Sequence, residues 1–171
     1  MRRLPVLARN KETIMQKITT FLAYDNQAEE AADLYVTLFP DSRILSKSYY
    51  MEGSPMPAGL LMTVQFMLAG QEYVALNGGP YFTFTEGISL SVACESQEEV
   101  DFLWEKLTEG GEPSQCGWLK DRFGLSWQIN PIVLGQMLGD EDSERAGRVM
   151  QAMLQMTKID IATLQRAYDG E

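Results

Sequence analysis

The chain has 171 residues, 45% of them hydrophobic, and sets 14 basic against 24 acidic side chains for a formal net charge of −10. That length suits one domain with a real core, and the acidity argues against nucleic acid, because it repels phosphate backbones. There is no histidine, which excludes a Ser-His-Asp triad, a Cys-His dyad and any histidine-ligated metal.

Residues 1–15 (MRRLPVLARNKETIM) are basic and lack an apolar h-region, so they make a poor secretory signal. Patterned structure begins just after Met15, and 1–15 are expected to form a poorly ordered extension. No apolar run approaches the roughly 20 residues of a membrane helix, so no membrane partner is expected. Cys94 and Cys116 form no C-x-x-C pair. They fit a reducing, cytoplasmic setting.

The next stretch occurs twice. ITTFLAYDNQAEEAADLYVTL (18–38) aligns with ISLSVACESQEEVDFLWEKL (88–107), with one gap after Gln97. Phe21 falls on Ser91, Asp25 on Glu95, Gln27 on Gln97, Leu34 on Leu103 and Tyr35 on Trp104. Each copy opens with a β-branched and apolar run that predicts a strand. Asn26 or Ser96 is placed to cap a helix, with glutamates in the first turn where the dipole favours them. Ala28, Ala31, Leu34, Tyr35 and Leu38, and Val100, Leu103, Trp104 and Leu107, recur at helical spacing. Pro40 and Gly110-Gly111 stop the two helices.

Strands are predicted after the first helix at 43–50, 61–69 and 72–77, the last two joined by Ala69-Gly70-Gln71. After the second they are predicted at 112–115, 117–121 and 125–130, with a turn at Phe123-Gly124. The unit is βαβββ, twice. The fold class is α+β, organised as a first module at 16–79, a linker at 80–86, a second module at 87–131 and a helical tail at 132–171. In the tail, Asp140, Asp142 or Ser143 caps a helix running to about 156, with Ala146, Val149, Met150, Met153 and Leu154 on one face. A shorter helix at about 160–168 follows.

Paired βαβββ units, with ALNGGP (75–80), FTEGISLSVAC (84–94), CGWLKDRFGLSWQI (116–129) and MTKIDIATL (156–164), resemble the PhnB-like branch of the vicinal oxygen chelate superfamily, the glyoxalase and extradiol dioxygenase fold. Members often carry the label 3-demethylubiquinone-9 3-methyltransferase. The resemblance covers roughly 16–168. It implies cupped sheets, a homodimer and, in active relatives, a metal held by His and Glu from the first and last strand of each module. The superfamily pattern D-P-x-G-x-x-x-E aligns with 121–128, so the ligand glutamate's position holds Gln128. The first module's counterpart falls near Ala75. The first-strand positions fall near Ile18 or Thr19 and near Ile88 or Ser89. None of these is His, Asp or Glu, so neither metal nor cofactor is expected. The label's chemistry would need a strand, a glycine-rich turn and a helix. Gly78-Gly79-Pro80 opens no helix.

The candidate ligand-binding residues are Gln128, as a polar anchor facing the cup, Trp118 and Trp127 as pocket walls, Asn77 before Gly78-Gly79, and Ser91 on the first strand of the second module. Asp121 and Arg122 read as hairpin residues. Tyr81, Phe82 and Phe84 read as a hinge plug. Cys116 would need a cationic setting to be reactive, and Glu72 and Glu86 would need burial to act as bases. No catalytic residue is assigned. The expected function is metal-free binding of a small molecule in the cup. The alternatives are an enzyme of the same superfamily (a lyase, a dioxygenase or the labelled methyltransferase) or a degenerate structural dimer.

Overall fold

A computed structural model describes residues 16–171, so the expected N-terminal extension lies outside the described residues. The first module runs β1 (Thr20–Tyr24), α1 (Ala28–Leu38), β2 (Arg43–Tyr49), β3 (Leu61–Leu68) and β4 (Gln71–Asn77). Its sheet has the order β1-β4-β3-β2, with β1 parallel to β4 and the other pairs antiparallel. The second module repeats this with β5 (Ser89–Cys94), α2 (Gln97–Thr108), β6 (Glu112–Pro113), β7 (Trp118–Lys120) and β8 (Ser126–Pro131), in the order β5-β8-β7-β6. The fold is α+β, as the repeat predicts.

The predicted strands at 112–115 and 117–121 shorten to β6 and β7. Gln115-Cys116-Gly117 turns between them, and both Cys116 and Gly117 have positive φ. The tail holds α4 (Ser143–Met153), capped by Asp142, and α5 (Ile161–Asp169), capped by Asp160. It also holds α3 (Ile132–Leu138), where the sequence reading has no element. Pro131 ends the strand, and its fixed φ suits a helix entry, so the chain turns straight into α3. Among the described residues no helix is long and apolar enough to cross a membrane.

Alternation decides the core. In β3 and β4, Val64, Phe66, Leu68, Tyr73 and Ala75 are buried on the side that carries α1. In β8, Trp127 and Ile129 are buried on the side that carries α2. These helix-bearing sides join in one continuous core across both modules. Trp127 stacks on Phe39 at 5.8 Å and meets Tyr35 edge-on at 5.2 Å. Tyr24 meets Phe84 and Phe123 edge-on.

One carboxylate sits inside this junction. Asp121 is buried and accepts from the Tyr35 hydroxyl at 2.6 Å, the Trp127 indole N–H at 2.9 Å, and the Phe123 and Leu125 amides at 2.9 and 3.0 Å. Burial pushes its pKa above the usual carboxylate value, while these four donors pull the other way. The hairpin role expected of Asp121 is therefore only half its work. Its backbone turns the chain, and its side chain ties α1 to β8. Arg122 is exposed, over the Phe123 ring.

The tail docks on the second module through main chain. The Cys116 and Gly117 amides donate to Met156 and Thr157 carbonyls at 2.8 Å each. The Gln97 amide side chain donates to the Ile159 carbonyl and accepts from the Ile161 amide. Gly117 has φ +80°, and a Cβ there would lie 2.9 Å from the Ile129 carbonyl and 3.1 Å from Ile159.

Tyr35→Phe should destabilise the protein by about 1–3 kcal/mol, read by urea unfolding, because a buried carboxylate loses a donor. Gly117→Ala should cost at least about 1–2 kcal/mol for the left-handed backbone alone. It should also speed hydrogen exchange at the Cys116 and Gly117 amides, which hold the tail.

Candidate functional site: the open face of the second sheet

Each sheet has a second face, away from its helix. On the second sheet the register fixes its members. Gln128 lies opposite Trp118 on one side and Ser91 on the other. Ser126 lies between Lys120 and Ser89. Asn130 pairs with Ala93. All of these point to one side, because pleating alternates side chains across a sheet. Gln128, Asn130, Trp118 and Ser89 are partly exposed and Ser91 is exposed.

The polar groups are linked. Gln128 Nε2 donates to Ser89 Oγ at 2.8 Å. Asn130 Nδ2 lies 3.4 Å from both Ser91 Oγ and Gln128 Oε1. The short bond fixes the Gln128 amide, while the one long contact to Oε1 leaves it open to a better donor. A cleft of about 260 Å³ adjoins this lattice, lined in part by Trp118, Lys120, Ser126 and Glu86.

The structure thus brings together Gln128, Trp118 and Ser91. The other two candidates lie off this row. Trp127 is 1% exposed and faces the inter-module core, where Asp121 takes its N–H. It is one residue out of phase with Gln128, so it does not share the open face, but it lines a second cleft of about 280 Å³ with Phe39, Tyr73, Leu90 and Ser91. Asn77 is a helix cap: its Oδ1 accepts from the Ala28 amide at 2.8 Å, and its Nδ2 donates to the Leu61 carbonyl. It does for α1 what Asn26 was expected to do, since Gln27 stands at the N-cap with no side-chain bond. Ser96 caps α2 as predicted, accepting from the Glu99 amide.

Register also relocates the first-module counterpart of Gln128. Phe21 corresponds to Ser91 in the repeat, and Phe21 pairs with Val74. The open-face position is therefore Val74, and Ala75 is buried behind it. The first sheet's open face carries Phe21, Val74 and Leu76 beside a Ser46–Gln65–Glu72 hydrogen-bonded chain.

The remaining candidates separate by burial. Phe84 packs on Tyr24, as a plug would, but Tyr81 is 91% exposed. Cys94 is buried and its thiol is pushed up to about 12, chiefly by desolvation, which makes it inert. Glu86 is exposed and ion-paired with Lys120, and that hydrogen bond holds its carboxyl below the usual range. It is a poor general base.

A superfamily metal does not fit here. Ser89 and Gln128 supply a hydroxyl and an amide where relatives need anionic or imidazole donors. Among the described residues no three His, Cys, Asp or Glu side chains converge. The sequence reading missed Ser89 as a partner of Gln128, and missed Ser126. The strand register, not residue type, reveals both.

Paired βαβββ modules with this sheet order define a glyoxalase-like fold. A family described as 3-demethylubiquinone-9 3-methyltransferase matches residues 16–130, and the chain belongs to this PhnB-like family. The PhnB protein of Bacillus cereus is 39% identical, with a TM-score of 0.63 over 68% of this chain and 99% of its own. Protein PA1353 of Pseudomonas aeruginosa shares the fold at 23% identity and a TM-score of 0.56, over 68% and 97% of the two chains. The fosfomycin resistance protein FosX of Listeria monocytogenes does so at 18% and 0.53, over 74% and 99%. No curated protein matches. The family match ends at 130, so the three tail helices lie beyond it.

Added Ni²⁺, Zn²⁺ or Mn²⁺ should give no stoichiometric binding in calorimetry and no rise in melting temperature. Gln128→Ala should leave that result unchanged while disturbing the Ser89 and Asn130 side-chain signals in NMR spectra.

Proposed function

We propose that the chain binds a small molecule on the open face of its second sheet, in the cytoplasm and as a homodimer. The observation that carries this reading is the row Trp118–Gln128–Ser91, set by strand register beside a cleft of about 260 Å³. Trp118 offers a flat apolar wall. Gln128 offers an oriented amide whose carbonyl oxygen is held only by a long contact. Ser91 adds an exposed hydroxyl.

Binding is favoured over catalysis by the chemistry of the row. It holds an amide, hydroxyls and an indole, and none of these is poised to move a proton near neutral pH. Methyl transfer by a nucleotide cofactor has no support in the element order. Gly78 and Gly79 follow β4 but lead into the connector, where Gly79 donates to the Asp25 carbonyl.

A second copy is the proposed cover for the open faces. Phe21, on the edge strand β1, is 60% exposed and Ile88, just before the edge strand β5, is 72% exposed, and Met150 on α4 and Leu154 at its C-cap leave apolar surface. Groups of this kind gain by burial. Two free cysteines fit a reducing compartment.

A metabolite screen by thermal shift should return hits whose effect is lost in Gln128→Ala and Trp118→Ala. Stabilisation that survives both changes would overturn the assignment. Light scattering should give twice the 19.3 kDa chain mass, and Phe21→Asp should shift it toward one.

A further inference from the structure

Ser126 is the starting point. It is 1% exposed, and its Oγ is the one buried side-chain polar atom among the described residues without a hydrogen-bond partner. Buried hydroxyls are nearly always bonded, so an orphan on a cleft wall marks a place where a partner is missing. Ser126 lines the 260 Å³ cleft.

The neighbours of Ser126 define what that partner is. Lys120 lies directly across the strand pair. Its ammonium is ion-paired with Glu86. Glu86 belongs to the connector between the modules, which has no helix or strand. Both side chains of the pair are exposed, 36% for Lys120 and 64% for Glu86. Exposed pairs of this kind contribute little and exchange readily with other partners. Glu86 therefore shows which group the spot accepts, a single carboxylate on Lys120, without being fixed there. Trp118, one row along, gives a planar wall. Glu112 pairs in register with Lys120 and keeps one negative charge in the cleft. A monoanion replaces only the charge that Glu86 withdraws, whereas a dianion would add a second negative charge beside Glu112.

We propose that the cleft binds a small, flat monocarboxylate, whose carboxylate replaces Glu86 on Lys120 and accepts a hydrogen bond from Ser126 Oγ while its body lies along Trp118. This rests on the functional reading above and names the ligand class for that face. The connector acts as an internal competitor. Its release from Lys120 accompanies binding.

Benzoate, benzamide and benzylamine are matched probes of anionic, neutral and cationic head groups. Each is titrated into the full-length protein and followed by the indole N–H signal of Trp118 and the side-chain signals of Gln128. Benzoate should bind at least tenfold more tightly than the other two. Glu86→Gln should tighten benzoate several-fold, because the competitor loses its charge. Lys120→Met should abolish the preference for benzoate. Ser126→Ala should weaken benzoate several-fold while holding or raising the melting temperature, since it removes an unsatisfied buried group. That opposite movement separates a binding role from misfolding. Equal affinity for benzamide or benzylamine, or no change in Glu86→Gln, would overturn the carboxylate assignment and leave the open-face reading standing. If no probe moves any open-face signal and no hit of the metabolite screen depends on Gln128, both readings fall.

Discussion

The structure depends on one buried carboxylate. Asp121 sits where the two modules meet, and it holds groups from three places: the α1 hydroxyl of Tyr35, the β8 indole of Trp127 and the amides of its own turn. Removing a carboxylate from water is costly unless its oxygens are fully engaged. Here both oxygens are. That requirement fixes where α1 lies against the second sheet, and it locks Trp127 between Tyr35 and Phe39. Everything on the other face follows from it. With Trp127 committed to the core, its neighbours Ser126 and Gln128 must point the opposite way.

That division of labour explains the polarity of the open face. A sheet with one face on a core leaves the other free of packing demands. The second module uses its free face for serines, amides, a tryptophan and a lysine. The first module's free face is more apolar, with Phe21, Val74 and Leu76. The two modules share a topology but have diverged in what they present. The Gln128 position supplies an amide in one and Val74 in the other, so a metal bound symmetrically by both has no donors to rest on.

The tail adds a separate layer. Leu134, Met137, Val149, Ile159 and Leu164 form a small core of their own. The tail is held to the modules by backbone bonds at the Cys116-Gly117 turn and by Gln97. Gly117 is there because the turn needs a left-handed residue and the tail needs close approach to it.

The sequence by itself determined the repeat, the α+β class, the helix cap at Ser96 and the relative placing of most strands, and it narrowed the α4 cap to Asp140, Asp142 or Ser143. These are local signals: period, capping chemistry and turn residues act within a few positions of themselves. It also named Gln128 through alignment to a pattern, Trp118 as an aromatic and Ser91 by its place on a first strand. What only tertiary structure decided is which face each residue takes. Trp127 and Asn77 each line a cleft away from the Gln128 row, one from within the core and the other while capping a helix 49 positions away. Ala75 and Val74 differ by one step of register, and one step reverses the face. Helix α3 and the orphan hydroxyl of Ser126 left no local mark either. The first is a short apolar run that could as well have been strand or loop. The second is defined by the absence of a partner, and whether a partner exists is settled only when distant strands and the connector come together.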